Sequence, residues 1–172
     1  LDRLGVLPAL KKRAVTAKRV IVGEGGSGKA PAEAPLEDAE ARFGAPWLVT
    51  LRADLQHVLL EAAQDIVDIE FMYGAEVTDF AAHARGTTAL IKRNGKSEEE
   101  LGIALIGADG LWSKMRTRLH GESAPVFHNL VAWRALVPAR DLPPQFTEPV
   151  TRLWLGRKAH LVHYPVHGGE QI

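Results

Sequence analysis

The sequence predicts a mixed α/β chain of the α+β kind, and three observations carry that prediction. Leu101–Arg118 (LGIALIGADGLWSKMRTR) reads as a strand, a glycine turn and a helix start in succession. Arg52 opens an amphipathic helix. Between Ile69 and Gly102 several β-like segments follow one another with a hairpin signal among them. A run of short strands beside isolated helices is the pattern of a sheet-based fold with helices packed on it.

The elements follow in order. Leu1–Leu10 has helical content interrupted by Gly5 and Pro8, and Val20–Val22 is a short strand candidate. Gly23–Ala30 (GEGGSGKA) approaches the phosphate-loop pattern G-x-x-x-x-G-K-[ST]. Ala30 stands where the magnesium-binding hydroxyl is needed, and Pro31 and Pro35 oppose the helix that must follow. A hairpin turn is therefore expected there, with a phosphate-loop nucleotide binder kept as a third functional alternative. Ala45–Leu51 reads as a strand. Leu55, Val58, Leu59 and Ala62 recur at helical spacing, so a helix is expected from Arg52 to about Gln64, with Asp54 in its first turn, where a carboxylate is favoured.

Ile69–Met72, Ala75–Ala81 and Thr87–Lys92 read as strands, Asn94-Gly95 as a tight hairpin turn, and Ser97–Glu100 as a solvated edge. Ala104–Ile106 is an apolar run bounded by glycines and reads as a buried strand. Gly107–Gly110 forms a turn, Ser113 fits as a helix N-cap, and Gly121 stops that helix near Leu119. Past Gly121 the composition changes. Asn129–Val137 reads as a strand ended by Pro138 and Asp141–Pro149 as a proline-rich loop. Val150–Leu155 and Ala159–Val166 read as strands joined by Gly156-Arg157-Lys158.

Composition bounds the function. The 172 residues suffice for one domain or parts of two, and the formal net charge is zero, which argues against a nucleic-acid or membrane-surface binder. No apolar run is long enough to span a bilayer. There is no cysteine, so disulfide and thiolate chemistry are excluded. Four of the seven histidines (His128, His160, His163 and His167) fall after Gly121, without the spacing or carboxylate partners of a zinc site, so no metal is expected. These features fit a cytoplasmic protein. The chain opens on Leu1 and closes on a turn followed by the first residues of another strand, so both ends are expected to continue into something longer.

The stretch GADGLWSKMR resembles the G-A-D-G-x-x-S-x-x-R signature of FAD-dependent aromatic hydroxylases, the single-component flavoprotein monooxygenases of the salicylate hydroxylase and para-hydroxybenzoate hydroxylase kind. Gly107, Ala108, Asp109, Gly110, Ser113 and Arg116 match it. GAPWLVTLRADLQHVLL resembles a second pattern of that family, whose arginine falls on Arg52. NLVAWRALVP and HLVHYPV resemble two further segments, with Ala135 where glycine is usual.

The resemblance implies the central part of a Rossmann-like FAD-binding domain with a β-meander at 1–122, and the start of a β-sheet substrate domain at 123–172. It implies FAD contacts at Arg52, Gly107, Asp109, Gly110 and Arg116. The cofactors implied are FAD, with NADH or NADPH as co-substrate, and the reaction is hydroxylation of a small phenolic acid, salicylate-like compounds first, with O2. A homodimer is among the assemblies it allows. In some relatives a histidine and a tyrosine four residues apart line the aromatic pocket, and His160 and Tyr164 have that spacing. Alternation along a strand puts both on one face, where the imidazole is a suitable base for a phenol; packing of Tyr164 in the sheet is the competing reading. The family's leading G-x-G-x-x-G unit and its later Gly-Asp segment are not among these residues, so this stretch alone is expected to be inactive. A non-catalytic module with a truncated flavoprotein fold is the alternative.

Overall fold

The computed structural model describes residues 1–122 and 125–172. The start of the second expected domain, at 123, lies outside the described residues. Leu7–Lys11 (α1) follows a 3-10 turn that ends at Gly5, whose φ of 69° suits glycine; Pro8 sits in the first turn of α1, where its missing N–H costs nothing. Next come Val15–Thr16 (β1), Arg19–Glu24 (β2), Ala32–Pro35 (β3), Ala39–Phe43 (α2), Leu48–Val49 (β4) and Arg52–Gln64 (α3). Glu76–His83 (β5), Gly86–Arg93 (β6) and Lys96–Gly102 (β7) form the meander, followed by Lys114–His120 (α4). Val150–Gly156 (β8) and Ala159–His163 (β9) end the set. The mixed α/β expectation is met.

Contacts divide the chain into two compact units, Leu1–Ile69 with Trp133–Ile172, and Glu70–Ala132. The first holds a four-stranded sheet in the order β3-β2-β8-β9 and a two-stranded pair, β1 with β4. β2 runs parallel to β8, with Arg19 opposite Val150 and Glu24 opposite Leu155; the other neighbours are antiparallel. Its apolar centre is Leu10, Ala14 and Val58, flanked by Leu48 and Leu55, so α1 and β4 pack on the face of α3 that the helical spacing marked out.

The glycine-rich stretch after β2 is a hairpin turn into β3, not a phosphate loop. Gly23 has a packing reason: a Cβ there would stand 2.5 Å from the Trp154 ring.

The second unit is the three-stranded antiparallel meander β5-β6-β7 with α4 beside β5. Asn94 and Gly95 turn the β6–β7 hairpin with φ of 51° and 76°, as the dipeptide requires. Ser113 caps α4 by accepting the Arg116 N–H at 3.0 Å, and Gly121 ends it at φ 82°.

Several expected strands do not form. Residues 69–72, 104–106 and 129–137 carry no strand, and the strand expected over 45–51 shrinks to Leu48–Val49. The last strand ends at His163 rather than 166, ahead of Tyr164 and Pro165. The physical reason is the same for 104–106 and 129–137. A continuous apolar run becomes a strand when neighbours pair its backbone and cover its faces; no described strand pairs with 104–106, and 129–137 is paired only at its end, where Val137 exchanges backbone bonds with Ile172. Ile106 is 87% exposed and Trp133 94%. No helix among the described residues is long and apolar enough to cross a membrane.

Candidate functional site

Arg52 is the first residue of α3. Leu51, at the N-cap, supplies no capping side chain, so the first amides of the helix stay open. Arg52 is exposed and has no hydrogen-bond or ion-pair partner among the described residues. A cation at the positive end of a helix is unfavourable by about 0.3–1 kcal/mol. An anion placed there satisfies the guanidinium and the free N–H groups together. That donor set fits the pyrophosphate or a flavin oxygen of FAD.

The Gly107–Arg116 motif lies in the other unit and is organised inward. Asp109 Oδ1 accepts the Ser113 hydroxyl at 2.6 Å, and Oδ2 accepts the Met115 N–H at 3.2 Å. These bonds, the serine's first, hold the Asp109 carboxyl below the usual carboxylate range. Arg116 Nη2 donates to the Leu111 carbonyl at 2.6 Å. A Cβ on Gly107 would meet Met115 Sδ at 2.9 Å, so this glycine is set by close packing against α4. Gly110, at φ 75°, has open space around it. The side chains of Asp109, Ser113 and Arg116 therefore shape the turn, and the exposed backbone of 107–110 is what it presents to a ligand. Ser113→Ala is expected to lower the stability of α4 by about 0.5–2 kcal/mol, read as faster amide exchange at Met115 and Arg116; unchanged exchange there contradicts the capping role.

A groove of about 600 Å³ runs between β5 and α4, lined among others by Val77, Phe80, Trp112 and Met115. Its two cations are already neutralised. Lys114 pairs with Glu76, and Arg118 with Asp79 at 3.2 Å. The groove therefore has no free charge to offer an anion.

His160 and Tyr164 fall at the sheet edge. β9 is an outer strand; His160 pairs opposite Leu155 and is exposed, while Tyr164 lies one residue past the strand end and is half-buried. Neither side chain has a hydrogen bond among the described residues.

Two arrangements escaped the sequence reading. His163, on the opposite face to His160, accepts the Trp154 indole N–H at Nε2, 3.0 Å away, and its ring stacks on that indole and tilts against Phe146. Burial and then the Arg152 guanidinium push its pKa below the ordinary value, which favours the neutral ring. The signal was available: with Trp154 opposite Leu161, His163 is a diagonal neighbour on the same face. The second arrangement joins Asp54, in the first turn of α3, to His167 in the turn after β9. Residues 113 positions apart give no local signal of this kind. Among the described residues no cluster of three or more His, Asp or Glu side chains could hold a metal.

No family model matches the chain. Curated relatives do. It is 33% identical over 171 residues to a 3-hydroxybenzoate 6-hydroxylase of Polaromonas naphthalenivorans, covering 99% of this chain and 42% of that one. It is 31% identical over 171 residues to 3-hydroxybenzoate 6-hydroxylase 1 of Aquipseudomonas alcaligenes, covering 99% and 43%. To the 3-amino-4-hydroxybenzoate 2-monooxygenase PtmB3 of Streptomyces platensis it is 34% identical over 171 residues, covering 98% and 41%. The crystal structure of Klebsiella pneumoniae HpxO complexed with FAD and uric acid shares the fold, with a TM-score of 0.72 at 21% identity, over 98% of this chain and 41% of that one. The chain thus spans about two fifths of the length of the relatives it matches. Over essentially its whole length it is similar to a section of enzymes named as hydroxybenzoate hydroxylases and monooxygenases.

Proposed function

We propose that this chain is part of an FAD-dependent monooxygenase that hydroxylates a phenolic aromatic acid of the hydroxybenzoate class, using NAD(P)H and O2. The observation that carries the reading is the similarity, along almost all 172 residues, to three enzymes named for hydroxybenzoate substrates. FAD, when bound, would supply the redox chemistry between NAD(P)H and O2. The chain's own residues bind and orient. Arg52, without a partner among the described residues and at a helix N-terminus, holds an anionic part of the cofactor. The bare backbone at Gly107, Asp109 and Gly110 lets the cofactor approach, with Arg116 bracing the turn from behind. His160 and Tyr164 are assigned to the aromatic substrate, His160 as the group that receives the phenol proton. The division into an FAD part at 1–122 and a substrate part at 123–172, a cytoplasmic location and a homodimeric assembly belong to the same reading.

The second reading is a module that keeps the flavoprotein fold and only binds. It is favoured by the inward bonding of Asp109, Ser113 and Arg116, which gives those side chains a purely architectural use.

Flavin fluorescence titration of the full-length protein separates the two. Arg52→Ala is expected to weaken FAD binding by about tenfold to a hundredfold, the range for losing a charge-assisted contact. An unchanged affinity removes Arg52 from the site. Absence of any flavin binding by the unsubstituted protein favours the binding module.

A further inference from the structure

Asp54 is only 5% exposed, two residues after Arg52 on α3. A buried carboxylate is costly unless a cation meets it, and here two do. His167 Nδ1 lies 3.0 Å from Oδ2 and 3.2 Å from Oδ1. Arg13 Nη1 is 3.8 Å from Oδ1, an ion-pair distance without a hydrogen bond. The residue that closes on Asp54 is itself held in an uncommon conformation: His167 has φ 51°, in the left-handed region that few side chains enter without a compensating contact. Its neighbour Gly168 donates its N–H to the Arg13 carbonyl at 2.7 Å. Val166 and Gln171 exchange backbone bonds across the same turn. Three segments thus converge on one carboxylate: the residues after α1, the first turn of α3, and the turn that follows β9.

We propose that Asp54 and His167 are a positioning pair that fixes the first turn of α3, and with it Arg52, against the turn after β9, so that the anion-holding geometry of Arg52 follows the charge on His167. The proposal rests on the reading of Arg52 as a cofactor contact. The groups facing His167 are Asp54 from α3, Arg13 from the segment after α1, and Glu170 from its own turn. Asp54 raises the histidine's pKa, first through the hydrogen bond and then through its charge; Glu170 adds to this, while desolvation and Arg13 oppose it. A raised folded pKa gives a definite sign. The contribution of the pair is fully present below the ordinary histidine value of about 6.5 and is lost as pH rises through the higher folded value. Above that, a neutral imidazole still donates from Nδ1, but the buried carboxylate keeps only Arg13 as a cation.

The test follows His167 and the amides of residues 52–54 by NMR as pH is raised in this chain, alongside FAD titrations at each pH. The expected result is a His167 midpoint above the ordinary value, with the three amides shifting at the same midpoint. In Asp54→Asn both effects should vanish. FAD affinity of the unsubstituted chain should fall by about fivefold or more between pH 6 and 8.5. His167→Arg, which keeps the charge at every pH, should hold the tighter affinity throughout, and His167→Gln the weaker. Amides of residues 52–54 that ignore the His167 titration overturn the proposal, whatever FAD does. Amides that follow it, with an FAD affinity that Arg52→Ala leaves unchanged in the full-length protein, retain the pair and refute the cofactor reading of Arg52. FAD binding whose pH dependence survives in His167→Arg overturns the proposal as well.

Discussion

Leu10→Ala is expected to destabilise the unit formed by Leu1–Ile69 and Trp133–Ile172 by about 2–5 kcal/mol. Leu10 is 2% exposed and is the centre of a small cluster with Ala14 and Val58, against which Leu48 and Leu55 pack. One side chain therefore ties α1, β4 and α3 together, and few other apolar groups are near enough to close over the space it leaves. In a unit whose total stability is of the usual order, about 5–15 kcal/mol, that is a large share. Urea unfolding followed by tryptophan fluorescence measures it. Leu10→Met, which conserves volume, should cost less than about 1.5 kcal/mol. If alanine costs no more than methionine, the cluster is not what holds α3 in place. The functional consequence is direct, since Arg52 and Asp54 lie in the first turn of α3.

Gly86→Ala is expected to disrupt the meander, at a cost of at least about 3 kcal/mol. Gly86 opens β6 at φ 145°, outside the range of ordinary side chains, and a Cβ there would stand 2.2 Å from the Gly102 carbonyl oxygen. That oxygen belongs to backbone in the β6–β7 pairing, where Thr87 lies opposite Gly102, so it cannot swing aside as a side chain would. Gly95→Ala is the control. Its φ is 76° and nothing lies within 4 Å, so only the left-handed conformation, about 1–2 kcal/mol, opposes it. Thermal melts with amide exchange along β7 distinguish the two. Equal losses at both positions would show that backbone angle alone, and not the Gly102 contact, sets the requirement at Gly86.

Elements whose signal is local were legible in the sequence. The bounds of α3, the β6–β7 turn at Asn94-Gly95, the Ser113 cap and the Gly121 stop all appear where residue pattern put them, because each depends on contacts within a few residues. The hairpin after β2 was legible for the same reason: Pro31 and Pro35 rule out a helix locally. Expected strands that need a partner from elsewhere behaved differently. An apolar run such as 104–106 records an appetite for burial, but strand pairing is a property of two segments, and no described strand offers itself to that run.

The site divides along the same line. Sequence by itself determined the family likeness, the arginine at the helix start and the glycine turn, since those are identities at fixed spacing. Only the tertiary structure decided what the side chains do with one another. Asp109 spends its carboxylate on Ser113 and Met115, His163 accepts the Trp154 indole N–H, and β2 pairs with β8 across more than a hundred residues of chain. The pairing of Asp54 with His167 is of that second kind. A carboxylate in the first turn of a helix is favoured by the helix dipole alone, so the sequence reading of Asp54 was complete without a partner. Burial is what turned it into a charge in need of a cation, and burial is decided by the fold.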